Sequence, residues 1–411
     1  MGRRQSMRQC LRKGSQMASP VALARPMNNS LMICLSHLRW NFVHQRPQHL
    51  LTYAAGSHRV YFFEEPIFED GLTEPRLDLQ IQPCGVVVAV PTLPSGYGEA
   101  EAVEAQRGFL DAILESHPNS RTTFWYYSPM ALRFSAHQVP DLCVYDCMDE
   151  LSAFRGAPPE LTNLESQLFD LADLVFTGGH SLYEAKKTRH ANVHAFPSSI
   201  DKAHFSRARQ GGMEDPADQK HIPHPRIGFF GVVDERMDIR LVANLADLRP
   251  DWNLVMIGPV VKIDPALLPR RPNIHWLGMK SYQDLPRYLA GWDAGFMPFA
   301  LNEATRFISP TKTPEFLSAG LPVVSTPVRD VQRPYGSMGL VSIAADAVEM
   351  ARMLEAVMAG PREEWQAMVD HYLADMSWQG TWAAMDRLMR QHSRHVSAVG
   401  QAPRRGTAAH V

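Results

Sequence analysis

Short apolar runs alternate with amphipathic segments along almost the whole of this chain, and a single polar stretch, 206–225, splits the alternation into two series. In the first series the runs at 31–35, 59–63, 85–90, 122–127, 142–145, 174–176 and 193–196 read as strands. Helical spacing falls between them at 47–55, 100–114 and 161–171, the last with Leu161, Leu164, Leu168 and Leu171 on one face. The second series has strand-like runs at 226–230, 254–257, 274–276, 294–297 and 322–325, and helical spacing at 237–248, 282–290 and 314–319. Strands that are apolar throughout, with helices between them, require a parallel sheet covered on both faces. Two such series predict an α/β protein with two Rossmann-like, doubly wound domains facing across a cleft. Ligands of such sheets bind outside the carboxyl ends of the strands.

Length agrees, because 411 residues exceed what one hydrophobic core serves. The expected organisation is a disordered basic arm at 1–29, an N-terminal acceptor-binding domain at 30–205, a linker at 206–225 and a C-terminal nucleotide-sugar-binding domain at 226–376. A helix crossing back at 377–391 and a disordered tail at 392–411 complete it. The arm holds Arg3, Arg4, Arg8, Arg12, Lys13 and Arg25 and no acid, and Met27 is an alternative start. A formal net charge of -2 speaks against nucleic acid as a partner. No apolar run reaches the roughly 18 residues of a membrane span. The five cysteines, Cys10, Cys34, Cys84, Cys143 and Cys147, are odd in number and scattered, so small buried hydrophobes in a reducing cytoplasm are expected.

The segment richest in chemistry runs Arg306-Phe-Ile-Ser-Pro-Thr-Lys-Thr-Pro-Glu-Phe-Leu-Ser-Ala-Gly320 and continues Leu-Pro-Val-Val-Ser-Thr-Pro327. Ser309, Pro310 and Thr311 form a turn into a short helix, whose free N–H groups suit a diphosphate. Lys312 adds a cation, Thr313 a hydroxyl, and Glu315 an acceptor for a ribose diol, while Gly320 ends the helix. The competing reading is an ordinary capped helix with Phe316 and Leu317 inward.

This run resembles the donor-site signature of GT-B glycosyltransferases, close to the family-4 (glycosyl transferases group 1) enzymes. Other pieces follow in the same order over about residues 30 to 390: 197–201 with Phe205 before the linker, 227–234, 273–278 with 285–290, and 378–389 as the returning helix. The stretch 36–49 is similar to a subgroup of bacterial cell-surface polysaccharide transferases. The resemblance implies that Glu315 binds the ribose, that Lys312 and the backbone of Ser309, Pro310 and Thr311 bind the diphosphate, and that Gly231 belongs to the first donor loop. Arg236 and Lys262 are the nearest counterparts of the family's two diphosphate-neutralising cations. The family's glutamate eight residues before the ribose glutamate is Phe307 here, so the donor-sugar contacts depart from the family pattern.

A nucleoside diphosphate leaves as an anion, and paired cations can lower that barrier in place of a divalent metal. No Asp-x-Asp triplet stands in a plausible place, so neither metal nor cofactor is expected. On the acceptor side, His37, Arg39, His44, Gln45 and Arg46 follow the first strand; His44 and Arg46 are the chosen catalytic candidates. Asp146 and Asp149 follow another strand. One carboxylate acts as base or positions the acceptor, or Asp149 caps the next helix. Trp125, Tyr126 and Tyr127 are either a sugar platform or core.

The expected activity is metal-independent transfer of a sugar from a nucleotide-sugar donor, a UDP-sugar by resemblance, to a saccharide or lipid-linked acceptor of cell-surface polysaccharide. A cytoplasmic enzyme with peripheral contact at the inner membrane face, through its basic arm, fits this. The alternatives are a GT-B nucleotide-sugar epimerase and a non-catalytic partner subunit.

Overall fold

The computed structural model describes residues 29–398; the expected basic arm, apart from Asn29, and the tail beyond 398 lie outside the described residues. The first lobe is built on nine strands: β1 Ser30–Leu35, β2 Arg59–Phe63, β3 Ile67–Glu69, β4 Arg76–Ile81, β5 Val87–Pro94, β6 Arg121–Tyr126, β7 Leu142–Cys147, β8 Leu174–Thr177 and β9 Val193–Ala195. Their order is β3-β5-β2-β1-β6-β7-β8-β9, with β4 antiparallel on β5 and the other pairs parallel. The second lobe has six parallel strands: β10 Arg226–Phe230, β11 Asn253–Ile257, β12 Ile274–Gly278, β13 Ala294–Met297, β14 Val323–Ser325 and β15 Ser342–Ile343, in the order β12-β11-β10-β13-β14-β15.

Each sheet reverses its winding beside its first strand. β1 lies between β2 and β6, with Leu31 opposite both Arg59 and Thr122, and β10 lies between β11 and β13. These are the switch points where crevices open at strand ends. The inner strands are apolar because both faces are covered: all of Leu31–Leu35 is unexposed, and Ile227 and Leu254 are equally enclosed. The sequence reading lacks β3 and β4 because neither is an apolar run. β4 reads Arg-Leu-Asp-Leu-Gln-Ile, an alternating edge strand whose Leu79 and Ile81 are exposed.

Trp125, Tyr126 and Tyr127 are at most 3% exposed, so they are core and not a sugar platform. The polar stretch 206–225 is also not a free tether. Gln219 is wholly buried; its amide donates to Asp215 Oδ1 and Tyr288 O and its carbonyl accepts from Trp292 Nε1. At Gln219 the polarity is met by hydrogen bonds and not by solvent.

The helix Trp378–Ala398 runs past the expected end at 391. Its residues Trp378, Trp382, Met385 and Met389 recur at helical spacing and pack among Leu50, Leu51 and Val60 of the first lobe. Each such side chain contributes about 1.5–3 kcal/mol of burial, enough to bind the chain's end back to the lobe where it began.

Candidate functional site

A cavity of about 470 Å³ lies between the lobes. The first lobe supplies Trp40 to Arg46 after β1, Met148 and Asp149 after β7, and Ser198. The second supplies the ends of β10 to β13 together with Ser309 to Lys312 and Glu315. Ser198 donates through Oγ to the Ser309 carbonyl at 2.9 Å, joining the lobes beside the cavity.

The second-lobe wall rests on two glycines. Gly231 and Gly258 have φ of 137° and 145°, backbone that L side chains rarely adopt. A Cβ on Gly231 would overlap Lys312 Cε, and one on Gly258 would overlap the Gly231 carbonyl. The loops after β10 and β11 therefore nest together and leave room for the lysine. The helix Lys312–Ser318 begins beside them; Thr311 occupies the cap position without a side-chain cap bond. Gly320 follows this helix at φ 75°, as the sequence predicts.

Among the described residues Lys312 has neither an ion pair nor a hydrogen bond to its ammonium. It lies near the Phe229 ring, 5.6 Å from its centroid. Loss of hydration, and then the nearby Arg236 charge, lower its pKa to about 8. Glu315, one turn along and 6% exposed, is pushed up to about 8 by burial against the pull of Lys312. Arg236 is held by Asp234, with Nε to Oδ1 at 3.0 Å and Nη2 to Oδ2 at 2.7 Å, and lines the cavity. Thr313 departs from expectation. It is wholly buried with its hydroxyl 3.7 Å from Met297 Sδ, because it sits about 100° around the helix from Lys312 and faces the sheet.

Lys262 does not line the cavity. Its φ of 62° sets it in left-handed backbone, unusual for a lysine, and its ammonium lies 4.9 Å from the Phe154 ring of the first lobe. Phe307 packs against the first lobe's core, so it ties the lobes together and offers no polar group to a sugar.

The first-lobe candidates divide. Arg46 is 4% exposed and Asp146 wholly buried, joined by Nε–Oδ2 at 3.0 Å and Nη2–Oδ1 at 2.9 Å. Arg46 Nη1 also donates to the Phe196 carbonyl at 2.8 Å. This pair departs from the expected catalytic role: each charge is spent on the other, and Asp146 does not reach the cavity. His44 does line the cavity, but packs 4.4 Å from the His49 ring and 4.3 Å from the Tyr282 ring. Burial lowers its pKa to about 4, so it is a neutral imidazole. Asp149 faces the cavity; burial raises its pKa, opposed chiefly by Arg236 and then Arg46. It caps no helix: the next short turn, Leu151–Ala153, has Glu150 at the cap position.

Sequence reasoning missed Tyr282, whose ring stacks on His204 at 4.2 Å and meets His44 from the other lobe. Its position just after β12 was a usable signal; its three imidazole partners, at 44, 49 and 204, were not.

Residues 224–360 match the glycosyl transferases group 1 family. A Bacillus subtilis (strain 168) protein assigned as the teichuronic acid biosynthesis glycosyltransferase TuaH is 27% identical over 252 residues, covering 55% of this chain and 62% of that protein's own length. The E. coli trehalose-6-phosphate structure bound with UDP-2-fluoro glucose superposes with a TM-score of 0.63 at 12% identity, over 88% of this chain and 99% of that one. WaaG, a glycosyltransferase involved in lipopolysaccharide biosynthesis, gives 0.59 at 13% identity, over 87% and 99%. With two parallel-sheet lobes and these superpositions the chain has the GT-B fold, and it carries a glycosyl transferases group 1 domain at residues 224–360.

Proposed function

We propose that this protein is a glycosyltransferase that uses a UDP-sugar and extends a saccharide or lipid-linked acceptor of surface polysaccharide. The observation that carries the reading is Lys312: an enclosed cation without an anionic partner among the described residues, at a helix start and beside a glycine-lined recess. An unpaired charge of that kind is costly unless a ligand completes it. A diphosphate does so, taking backbone N–H groups near 309–311, the Lys312 ammonium and the free edge of the Arg236 guanidinium. Glu315 stands one turn further in and accepts from the ribose hydroxyls.

In the transition state the glycosidic bond to the diphosphate lengthens and negative charge gathers on the leaving oxygen. Lys312 and Arg236 are already aimed at that charge, so their interaction strengthens as the bond breaks. These two cations supply the neutralisation that a divalent ion supplies elsewhere, so the reaction is metal-independent. Asp149, across the cavity, accepts the hydrogen bond of the acceptor hydroxyl and draws its proton as the new bond forms. Its raised pKa suits a group that must hold that proton. The relatives support the donor and the acceptor class: one was solved with UDP-2-fluoro glucose, and two belong by name to teichuronic acid and lipopolysaccharide synthesis. Among the described residues no helix is long and apolar enough to cross a membrane. Calorimetry with UDP, followed by UDP release from a panel of UDP-sugars with and without lipid-linked saccharide, tests the proposal. Absence of UDP binding sinks it, and donor conversion without acceptor redirects it to epimerisation.

A further inference from the structure

The two cations that follow β10 and β11 converge on one aromatic ring from the opposite lobe. Arg236 Cζ lies 5.4 Å and Lys262 Nζ 4.9 Å from the centroid of Phe154. Phe154 ends the turn Leu151–Ala153, which lies against the donor-lobe turn Glu303–Thr305, so the ring is carried to the cations by a contact between lobes. Asp234 holds one edge of Arg236 and leaves Nη1 without a carboxylate. Lys262 has no carboxylate within salt-bridge distance among the described residues, and its left-handed backbone turns it out of its own lobe. An aromatic face attracts cations without neutralising them. It can therefore hold both groups in place and leave their charge available to an anion, which a carboxylate at the same spot would not.

We propose that Phe154 is a positioning residue: a cross-lobe ring that holds Arg236 and Lys262 at the cavity mouth, so that the second lobe's diphosphate grip is complete only when the first lobe is docked. The inference rests on the diphosphate reading of the site. It makes leaving-group neutralisation depend on the approach of the lobe that carries the acceptor. It also gives Lys262, which does not line the cavity, a route to act on the donor.

The test compares Phe154→Leu and Phe154→Met, which keep bulk and lose the ring, with Phe154→Tyr and Phe154→Trp, which keep it. UDP affinity is read by calorimetry, turnover with a donor, and folding by melting temperature. Two cation–π contacts correspond to about a five- to thirty-fold loss of UDP affinity in Leu and Met, with the ring-bearing variants within about two-fold of wild type. A double-mutant cycle with Lys262→Ala separates positioning from packing: the loss in Phe154→Leu should shrink to a few-fold when Lys262 is already gone. If the Leu variant does not fold, the cycle is run on Met. Equal losses in all four variants, or full additivity with Lys262→Ala, overturn the proposal. A wild-type protein that does not bind UDP fails the diphosphate reading itself; wild-type binding with an unaffected Leu variant fails Phe154 alone.

Discussion

Two pairs of opposite charges, one at the cavity through Arg46 alone and the other through both Lys312 and Glu315, have opposite fates. In the first lobe Arg46 and Asp146 neutralise each other through two hydrogen bonds, and a carbonyl takes a third guanidinium donor. In the second lobe Lys312 and Glu315 are a helical turn apart, without a mutual ion pair, and each is driven toward its neutral form. The first pair is satisfied by the protein and is structural. The second is left incomplete, which costs stability and is what a binding site requires. A charged residue near a strand end therefore says little about function until its partner is known.

The comparison breaks most sharply at Arg46. Arg46→Met strands a wholly buried carboxylate and is expected to cost about 3–5 kcal/mol of stability, read by denaturant unfolding; a loss of activity with unchanged stability would return Arg46 to the catalytic group. Lys312→Met should do the reverse. Loss of a preorganised charge on the leaving group lowers turnover about 10²–10³-fold, whereas the melt holds or improves by about 0.5–2 kcal/mol. Turnover assays beside thermal melts separate the two lobes by the sign of their trade.

Glu315→Gln keeps shape and replaces a carboxyl oxygen with an amide NH2 that cannot accept, so UDP affinity should fall about ten-fold, measured by calorimetry. A pH series sharpens the same contrast. Lys312 is lowered to about 8, so affinity for a diphosphate should decline as pH rises through 8 and the ammonium is lost. For the unliganded fold the signs are opposite for the two groups. Glu315, raised to about 8, subtracts stability as pH climbs from its unfolded value toward 8. Lys312 returns stability between 8 and its unfolded value. Together they place a shallow minimum near pH 8 in a melting series, which Lys312→Met should remove on the alkaline side. The smallest effect expected is none at all: EDTA should leave turnover unchanged, and a loss restored by Mg²⁺ would show that the two cations do not suffice.

Much of this was legible before any coordinates. Doubly covered parallel strands are nearly continuous apolar runs, so β1, β2 and β10 announce themselves; the returning helix at 378–389 was legible through the family resemblance. The edge strand β4 alternates and the stretch 206–225 is polar, so the rule that finds strands passes over both, although Gln219 is as buried as any leucine. In the site, Lys312 and Glu315 follow from helix geometry, because residues three apart share a face. The same geometry turns Thr313 inward, a consequence of its 100° offset that the local motif does not weigh.

By itself the sequence determined the two-lobed α/β architecture, the order of its parts and the helix start at Lys312, because those depend on periodicity and on neighbours within one turn. Only the tertiary structure decided which charges are spent and which stay open. Arg46 meets a carboxylate one hundred positions away, and Phe154 meets cations of the other lobe. Such pairings arise when distant strand ends are brought to one crevice, and local pattern holds no record of them.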